Sequence, residues 1–74
     1  MTTRYLYETG VGLRYYMEGV IIYECETGEP TFYVSGPTVF AYGSRTPAYW
    51  IDGNDLQPYD KTKAKLYFNF NIET

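Results

Sequence analysis

The sequence predicts an all-β domain of four tandem β-hairpin repeats, eight short antiparallel strands with a pseudo-fourfold or small barrel-like arrangement. Three observations predict it. The first is a period of 17 residues: Gly19, Gly36 and Gly53 recur at that spacing, and Phe70 stands at the next step. Each closes a matching phrase: Tyr15-Tyr16-Met17-Glu18-Gly19, Phe32-Tyr33-Val34-Ser35-Gly36, Tyr49-Trp50-Ile51-Asp52-Gly53 and Leu66-Tyr67-Phe68-Asn69-Phe70. The second is that the repeats read strand, turn, strand, with β-branched and aromatic residues on either side of small or charged ones. The third is the lack of helical periodicity. Even the Gly- and Pro-free stretch from Tyr59 to Thr74 alternates with period two over Lys65 to Phe70.

The repeats span residues 2–19, 20–36, 37–53 and 54–70, with 71–74 as a C-terminal tail, all in a single domain of 74 residues. Repeat one reads as one residue longer than the others. Its segment Tyr5-Leu6-Tyr7-Glu8-Thr9-Gly10 matches Tyr23-Glu24-Cys25-Glu26-Thr27-Gly28 at a shift of 18, whereas its closing phrase matches at 17. The extra residue is assigned to Val11-Gly12-Leu13. First strands include Val20-Ile21-Ile22-Tyr23 and Thr38-Val39-Phe40-Ala41-Tyr42. Turns follow at Glu26-Thr27-Gly28-Glu29, Gly43-Ser44-Arg45-Thr46 and Asp60-Lys61-Thr62-Lys63. Pro30 and Pro47 open second strands, where a missing N–H is tolerated. Glu18-Gly19, Ser35-Gly36 and Asp52-Gly53 join the repeats as tight hairpin turns.

Alternation also sorts the faces. Tyr15 and Met17, Phe32 and Val34, Tyr49 and Ile51, and Leu66 and Phe68 are all apolar or aromatic at i, i+2 spacing, and form the core face of the second strands. The matching first-strand set is Tyr5 and Tyr7, Tyr23 and Cys25, Phe40 and Tyr42, and Gln57 and Tyr59, nearly as apolar. On the opposite face the central second-strand residue is aromatic in every repeat: Tyr16, Tyr33, Trp50 and Tyr67. Polar or small residues flank these rings, Arg14 and Glu18, Thr31 and Ser35, Ala48 and Asp52, and Lys65 and Asn69.

Composition narrows the function. A chain this short buries only roughly 60% of its unfolded surface, and ten Tyr, four Phe and one Trp supply the missing core area. Cys25 is the single cysteine, so no internal disulfide forms. Met1-Thr2-Thr3-Arg4-Tyr5 lacks the apolar run of a signal peptide, and no segment approaches a membrane span. These features lead to the expectation of a cytoplasmic protein with no membrane partner. A net charge of −3 argues against a nucleic-acid partner.

No catalytic set is recognisable, and the expectation is a protein that is not an enzyme. There is no histidine, so neither Ser35 nor Ser44 can belong to a serine triad. Cys25 lies between Glu24 and Glu26, which oppose thiolate formation. Asp52 and Asp55 flank the Gly53-Asn54 turn rather than a cleft that would drive their pKa values apart. No metal or cofactor pattern is present. The constellation to single out is the aromatic set Tyr16, Tyr33, Trp50 and Tyr67, with Asp52, Arg14 and Lys65 as orienting groups. It reads either as a platform for sugars, bases or peptides or as cross-strand pairing that covers backbone. The hairpin tips are charged asymmetrically. Glu8, Glu26 and Glu29 lie on the first two, and Arg45, Lys61 and Lys63 on the last two, a dipole that can steer a partner or favour self-association.

Gly28-Glu29-Pro30-Thr31-Phe32-Tyr33, and more loosely Arg45-Thr46-Pro47-Ala48-Tyr49, give the chain a resemblance to the four-fold beta-flower domain family of bacterial and phage-associated proteins. The resemblance covers residues 2–70 and implies four hairpins arranged about a pseudo-fourfold axis. Repeat one lacks the Pro, and repeat four has Ala64 there with no closing Gly. The family carries no established activity. The phrase Tyr49-Trp50-Ile51-Asp52-Gly53 is more distantly similar to choline-binding cell-wall repeats, whose longer period and secretion differ from this chain. The expected role is a non-enzymatic module contacting another protein, such as a small phage or bacterial inhibitor or accessory protein. A small-ligand binder for a sugar or nucleotide on the aromatic face is the first alternative. A self-associating structural repeat, as a homodimer or higher homo-oligomer, is the second.

Overall fold

Short strands rich in aromatic and β-branched residues, punctuated by glycine, leave each hairpin with two edges to satisfy. The chain satisfies them by closing on itself. The computed structural model describes residues 3–68 and contains no helix among them. Eight strands run in order as β1 Thr3–Glu8, β2 Gly12–Glu18, β3 Ile21–Glu24, β4 Pro30–Ser35, β5 Thr38–Ala41, β6 Pro47–Asp52, β7 Asp55–Pro58 and β8 Leu66–Phe68. Each pairs antiparallel with its neighbours, and β8 pairs with β1 to complete a closed barrel. Closure removes every open edge, and eight strands leave an interior just wide enough for side chains to fill. The expected fold class, with barrel closure, is what the chain adopts. The positions called Asn69, Phe70 and the 71–74 tail, together with residue 2, lie outside the described residues.

One end of the barrel is made by tight turns. Strand ends pair as Glu18↔Ile21, Ser35↔Thr38 and Asp52↔Asp55, leaving the two-residue turns Gly19-Val20, Gly36-Pro37 and Gly53-Asn54. Gly36 has φ +61° and the proline ring holds Pro37 at negative φ, the combination of a type II′ turn, whose twist matches the flanking strands. The other end carries the longer loops, residues 9–11, 25–29, 42–46 and 59–65. No helix among the described residues is long and apolar enough to cross a membrane.

A bulge recurs below the longer loops. Arg14, Thr31 and Ala48, spaced 17 apart, are each skipped in the register between the second strand and the first strand of the same hairpin. Their carbonyls accept the amide N–H of Cys25, Tyr42 and Tyr59 from the next hairpin, at 3.0, 2.9 and 3.1 Å. Lys65, one further period on, accepts the Thr9 N–H at 3.1 Å. One extra residue in each of the first three hairpins thus bends β2, β4 and β6 and ties each to the hairpin that follows, as bulges at barrel rims do.

The core corrects two of the expectations. Leu6, Ile22, Val39 and Leu56 are fully buried, one from each first strand, and join Tyr49, Leu66 and Phe68. Tyr15, Met17, Phe32, Val34 and Ile51 pack against them, so the second-strand core face is as expected. The first-strand set is inverted. Tyr5 is exposed, and Tyr7, Tyr23, Phe40 and Gln57 lie on the outside, alternating with the buried aliphatics. Repeat one is also shorter, not longer. Leu6 stands nine positions before its partner Tyr15, whereas Ile22 stands ten before Phe32, as do Val39 before Tyr49 and Leu56 before Leu66. The structural counterpart of Tyr23 is therefore Tyr7, not Tyr5.

Candidate binding surface

Because successive side chains point to opposite faces, a strand with Leu6 inside must hold Tyr5 and Tyr7 outside. The same rule puts Tyr16, Tyr33, Trp50 and Tyr67 on the outer surface, one on each even-numbered strand. The barrel does not gather these four into one platform, because β2, β4, β6 and β8 alternate around its wall. Each instead meets an aromatic of the neighbouring hairpin. Tyr16 stacks on Tyr23 at 5.1 Å, Tyr33 on Phe40 at 5.2 Å and Tyr67 on Tyr7 at 5.7 Å, with ring planes within 17° of parallel. The residue opposite Trp50 is Gln57, and Trp50 reaches past it to Tyr59 at 4.9 Å and a 59° tilt. The cross-strand pairing reading describes Tyr16, Tyr33 and Tyr67, and Trp50 is the exception.

The flanking polar residues separate as well. The bulge carries Arg14 toward the loop end, where its guanidinium donates to Glu8 Oε1 at 2.8 Å and sits 5.4 Å from the centre of the inward-facing Tyr15 ring. Lys65 Nζ lies 3.3 Å from Asp55 Oδ2. Asp52 is exposed beside the Gly53-Asn54 turn. Arg14 and Lys65 are thus committed to pairs within the chain.

What the barrel does gather is a strip of tyrosines. Tyr67 on β8 stands opposite Tyr7 on β1; Tyr5 lies two residues back on β1 and opposite Tyr16 on β2; Tyr16 stands opposite Tyr23 on β3. Five tyrosines therefore cross four neighbouring strands without a break. Tyr5 and Tyr67 are the most open of them, 46% and 38% exposed. The inverted first-strand face hid Tyr5, Tyr7 and Tyr23 from sequence reasoning. The signal that finds two of them is the tight turn. With Glu18 and Ile21 closing it, Met17 must stand opposite Ile22, and Tyr16 opposite Tyr23.

Electrostatics at the loop end are local. Burial raises the Tyr15 phenol above its ordinary value against the lowering effect of Arg14, with Glu8 and Glu24 adding to the rise. Burial also raises the Tyr49 phenol, helped by Tyr15 and Glu8. The Cys25 thiol is pushed up by desolvation and by Glu24, which disfavours the thiolate. Asp60 is held below the usual carboxylate range because its Oδ1 accepts from the Thr62 N–H at 3.0 Å and the Thr62 hydroxyl at 2.7 Å. Among the described residues no group of His, Cys, Asp or Glu could hold a metal ion. A hollow of about 240 Å3 opens between the start of β6 and the fourth loop, lined by Phe32, Pro47, Tyr49, Tyr59, Asp60 and Lys63 among others.

No family model matches the chain, and no curated protein or solved structure matches it.

Proposed function

We propose that this barrel is a non-catalytic binding module that contacts another protein through the tyrosine strip on β8, β1, β2 and β3. The observation that carries the proposal is the continuity of Tyr67, Tyr7, Tyr5, Tyr16 and Tyr23 across four strands of a wall that needs none of them for its core. Tyrosine offers large, rigid contact area with a polar tip at low entropic cost, and is enriched among residues that dominate interface energy. The setting we propose is a reducing cytoplasm, which suits a chain with one exposed, unpaired cysteine. Kinship with the four-fold beta-flower family is part of the same proposal and rests on the Gly28 to Tyr33 phrase.

The test compares two double variants in affinity capture from bacterial lysate. Tyr5→Ser with Tyr67→Ser opens the strip, and Tyr33→Ser with Trp50→Ser alters the far wall equally. Loss of a captured protein in the first variant alone is the expected result. Equal capture by both folded variants rejects the strip.

One observation favours a second reading, a small planar ligand such as a sugar or nucleotide. The hollow beside Tyr59 combines apolar walls with Asp60 and Lys63, and Trp50 packs against the same Tyr59 ring. It is smaller than the roughly 300–1,000 Å3 of common ligand pockets. Quenching of Trp50 fluorescence with a rise in Tm on adding ligand would favour this reading, because β6 lies across the barrel from the strip.

A further inference from the structure

The loop end of the barrel divides by charge into two halves. Going round it, the loops at residues 9–11 and 25–29 are neighbours, and so are those at 42–46 and 59–65. The charges already committed within the chain can be set aside: Arg14 with Glu8, Lys65 with Asp55, and Asp60 held by Thr62. Glu24, Glu26 and Glu29 are left on the first half, and Arg45, Lys61 and Lys63 on the second. Among the described residues none of these six makes an ion pair within the chain. Apolar groups lie exposed on the same rim, Val11 and Leu13 on the acidic half and Tyr42 and Tyr59 on the basic half.

We infer that this end is a self-association surface whose occupant is a second copy of the chain, docked end to end about a two-fold axis. The symmetry follows from the charge. An isologous contact places the same patch of both copies face to face. With the axis in the plane of the end, along the line dividing the halves, rotation lays each acidic half on the partner's basic half. Three carboxylates then meet three cations twice over, and the four exposed apolar side chains of each rim are covered in the same step. A face of uniform sign would repel its own copy, and a neutral one would set no orientation.

Size sets the strength. The barrel is 24 Å across in both shorter directions, which gives an end face of about 450 Å2 per copy against the roughly 800 Å2 typical of a stable interface. The dimer is therefore weak and electrostatically oriented, with a dissociation constant on the order of 10–100 μM.

Charge reversal tests it. Lys61→Glu with Lys63→Glu makes both halves acidic, and Glu26→Lys with Glu29→Lys makes both basic. All four side chains are exposed, and thermal unfolding checks that each variant folds. Sedimentation from about 1 to 300 μM at about 20 mM and 500 mM salt is the readout. The expected pattern has three parts: the wild type dimerises and weakens at least about tenfold at high salt; each variant alone stays monomeric; an equimolar mixture of the two restores a dimer. A wild type that is monomeric throughout, variants that still dimerise alone, or a mixture that stays monomeric would each overturn it. A dimer indifferent to charge reversal but lost in the Tyr5→Ser, Tyr67→Ser variant would instead place self-association on the tyrosine strip.

Discussion

Tyr16 and Tyr23 stand directly opposite each other on β2 and β3 and stack with ring centroids 5.1 Å apart and planes 14° from parallel. Tyr33 with Phe40 repeats this pair one period on, and Tyr67 with Tyr7 repeats it where the chain closes. The outer wall is thus stapled between hairpins rather than within them. The carbonyls of the bulge residues Arg14, Thr31 and Ala48, and that of Lys65, make the same connection in the backbone, each to the neighbouring hairpin. Four hairpins become one barrel because side-chain and backbone links both fall at the same junctions.

A double-mutant cycle on Tyr16 and Tyr23 should give a coupling energy of about 0.5–1.5 kcal/mol, as for other stacked aromatic pairs. The measurement is urea unfolding of the wild type, Tyr16→Ala, Tyr23→Ala and the double variant. Coupling near zero would mean the rings only share an outer surface.

Neighbouring residues on β1 should respond very differently to truncation. Leu6 is fully buried and Tyr5 is 46% exposed. Leu6→Ala should cost about 2–5 kcal/mol, a large part of the stability of so small a domain, whereas Tyr5→Ala should cost under about 1 kcal/mol. Thermal unfolding of both variants checks the order. Equal costs would contradict the assigned faces of β1.

Those faces were the part of the fold that the sequence hid. The 17-residue period, the Gly19, Gly36 and Gly53 turns and the inward second-strand ladder were all legible. Glycine has a strong local reason to sit at such turns, and the second strands alternate without interruption from Tyr15 to Met17 or Phe32 to Val34. First strands mislead because their outward positions are aromatic. Tyr7, Tyr23 and Phe40 look like core beside the smaller Leu6, Ile22 and Val39, although cross-strand stacking is what holds them. The bulges at Arg14, Thr31 and Ala48 add a residue without adding a rung, so counting by twos around a hairpin arrives on the wrong face. In repeat one, the likeness of Tyr5-Leu6-Tyr7-Glu8-Thr9-Gly10 to Tyr23 through Gly28 reinforced that error. The tyrosine strip was lost with it.

Alkaline pH should destabilise the barrel through Tyr15 and Tyr49. Burial raises both phenols above the ordinary 10.0, so the folded chain keeps protons that the unfolded chain has released. The unfolded state binds fewer protons in that window, and unfolding free energy therefore falls as pH rises. The stabilisation is fully present below pH 10 and is lost as pH climbs through the folded values. Phenolate absorbance near 295 nm should show Tyr15 and Tyr49 titrating late, and urea midpoints should drop above about pH 10. Constant midpoints up to the late titration would exclude the linkage.

Gly36 should tolerate no L side chain, although space is open around it. A Cβ there would meet nothing within 4 Å, but φ is +61°. The cost of Gly36→Ala is therefore conformational, about 1–2 kcal/mol. In a chemically synthesised chain a D-alanine at this position should restore or exceed wild-type stability, because its mirror-image preference suits the first position of a type II′ turn. A steric origin would leave both isomers equally damaging.

The one outer rung that departs from the rule offers a gain in stability. Tyr7, Tyr23 and Phe40 stand opposite Tyr67, Tyr16 and Tyr33, but Gln57 stands opposite Trp50. Trp50 compensates by tilting onto Tyr59, two residues further along, and is left 39% exposed. Gln57→Tyr supplies the missing ring on a strand position that already faces outward. Aromatic cross-strand pairs contribute about 0.2–1 kcal/mol, and 1 kcal/mol corresponds to roughly 4–8 °C in a domain of this size. A rise in Tm of a few degrees is expected, with Trp50 emission shifting to the blue as the new ring covers it. The comparison that isolates the pair is Gln57→Tyr in a Trp50→Ala background, where the gain should vanish. Persistence of the gain without Trp50 would show that tyrosine at 57 acts through strand propensity alone, and that the fourfold stacking rule is not what stabilises this wall.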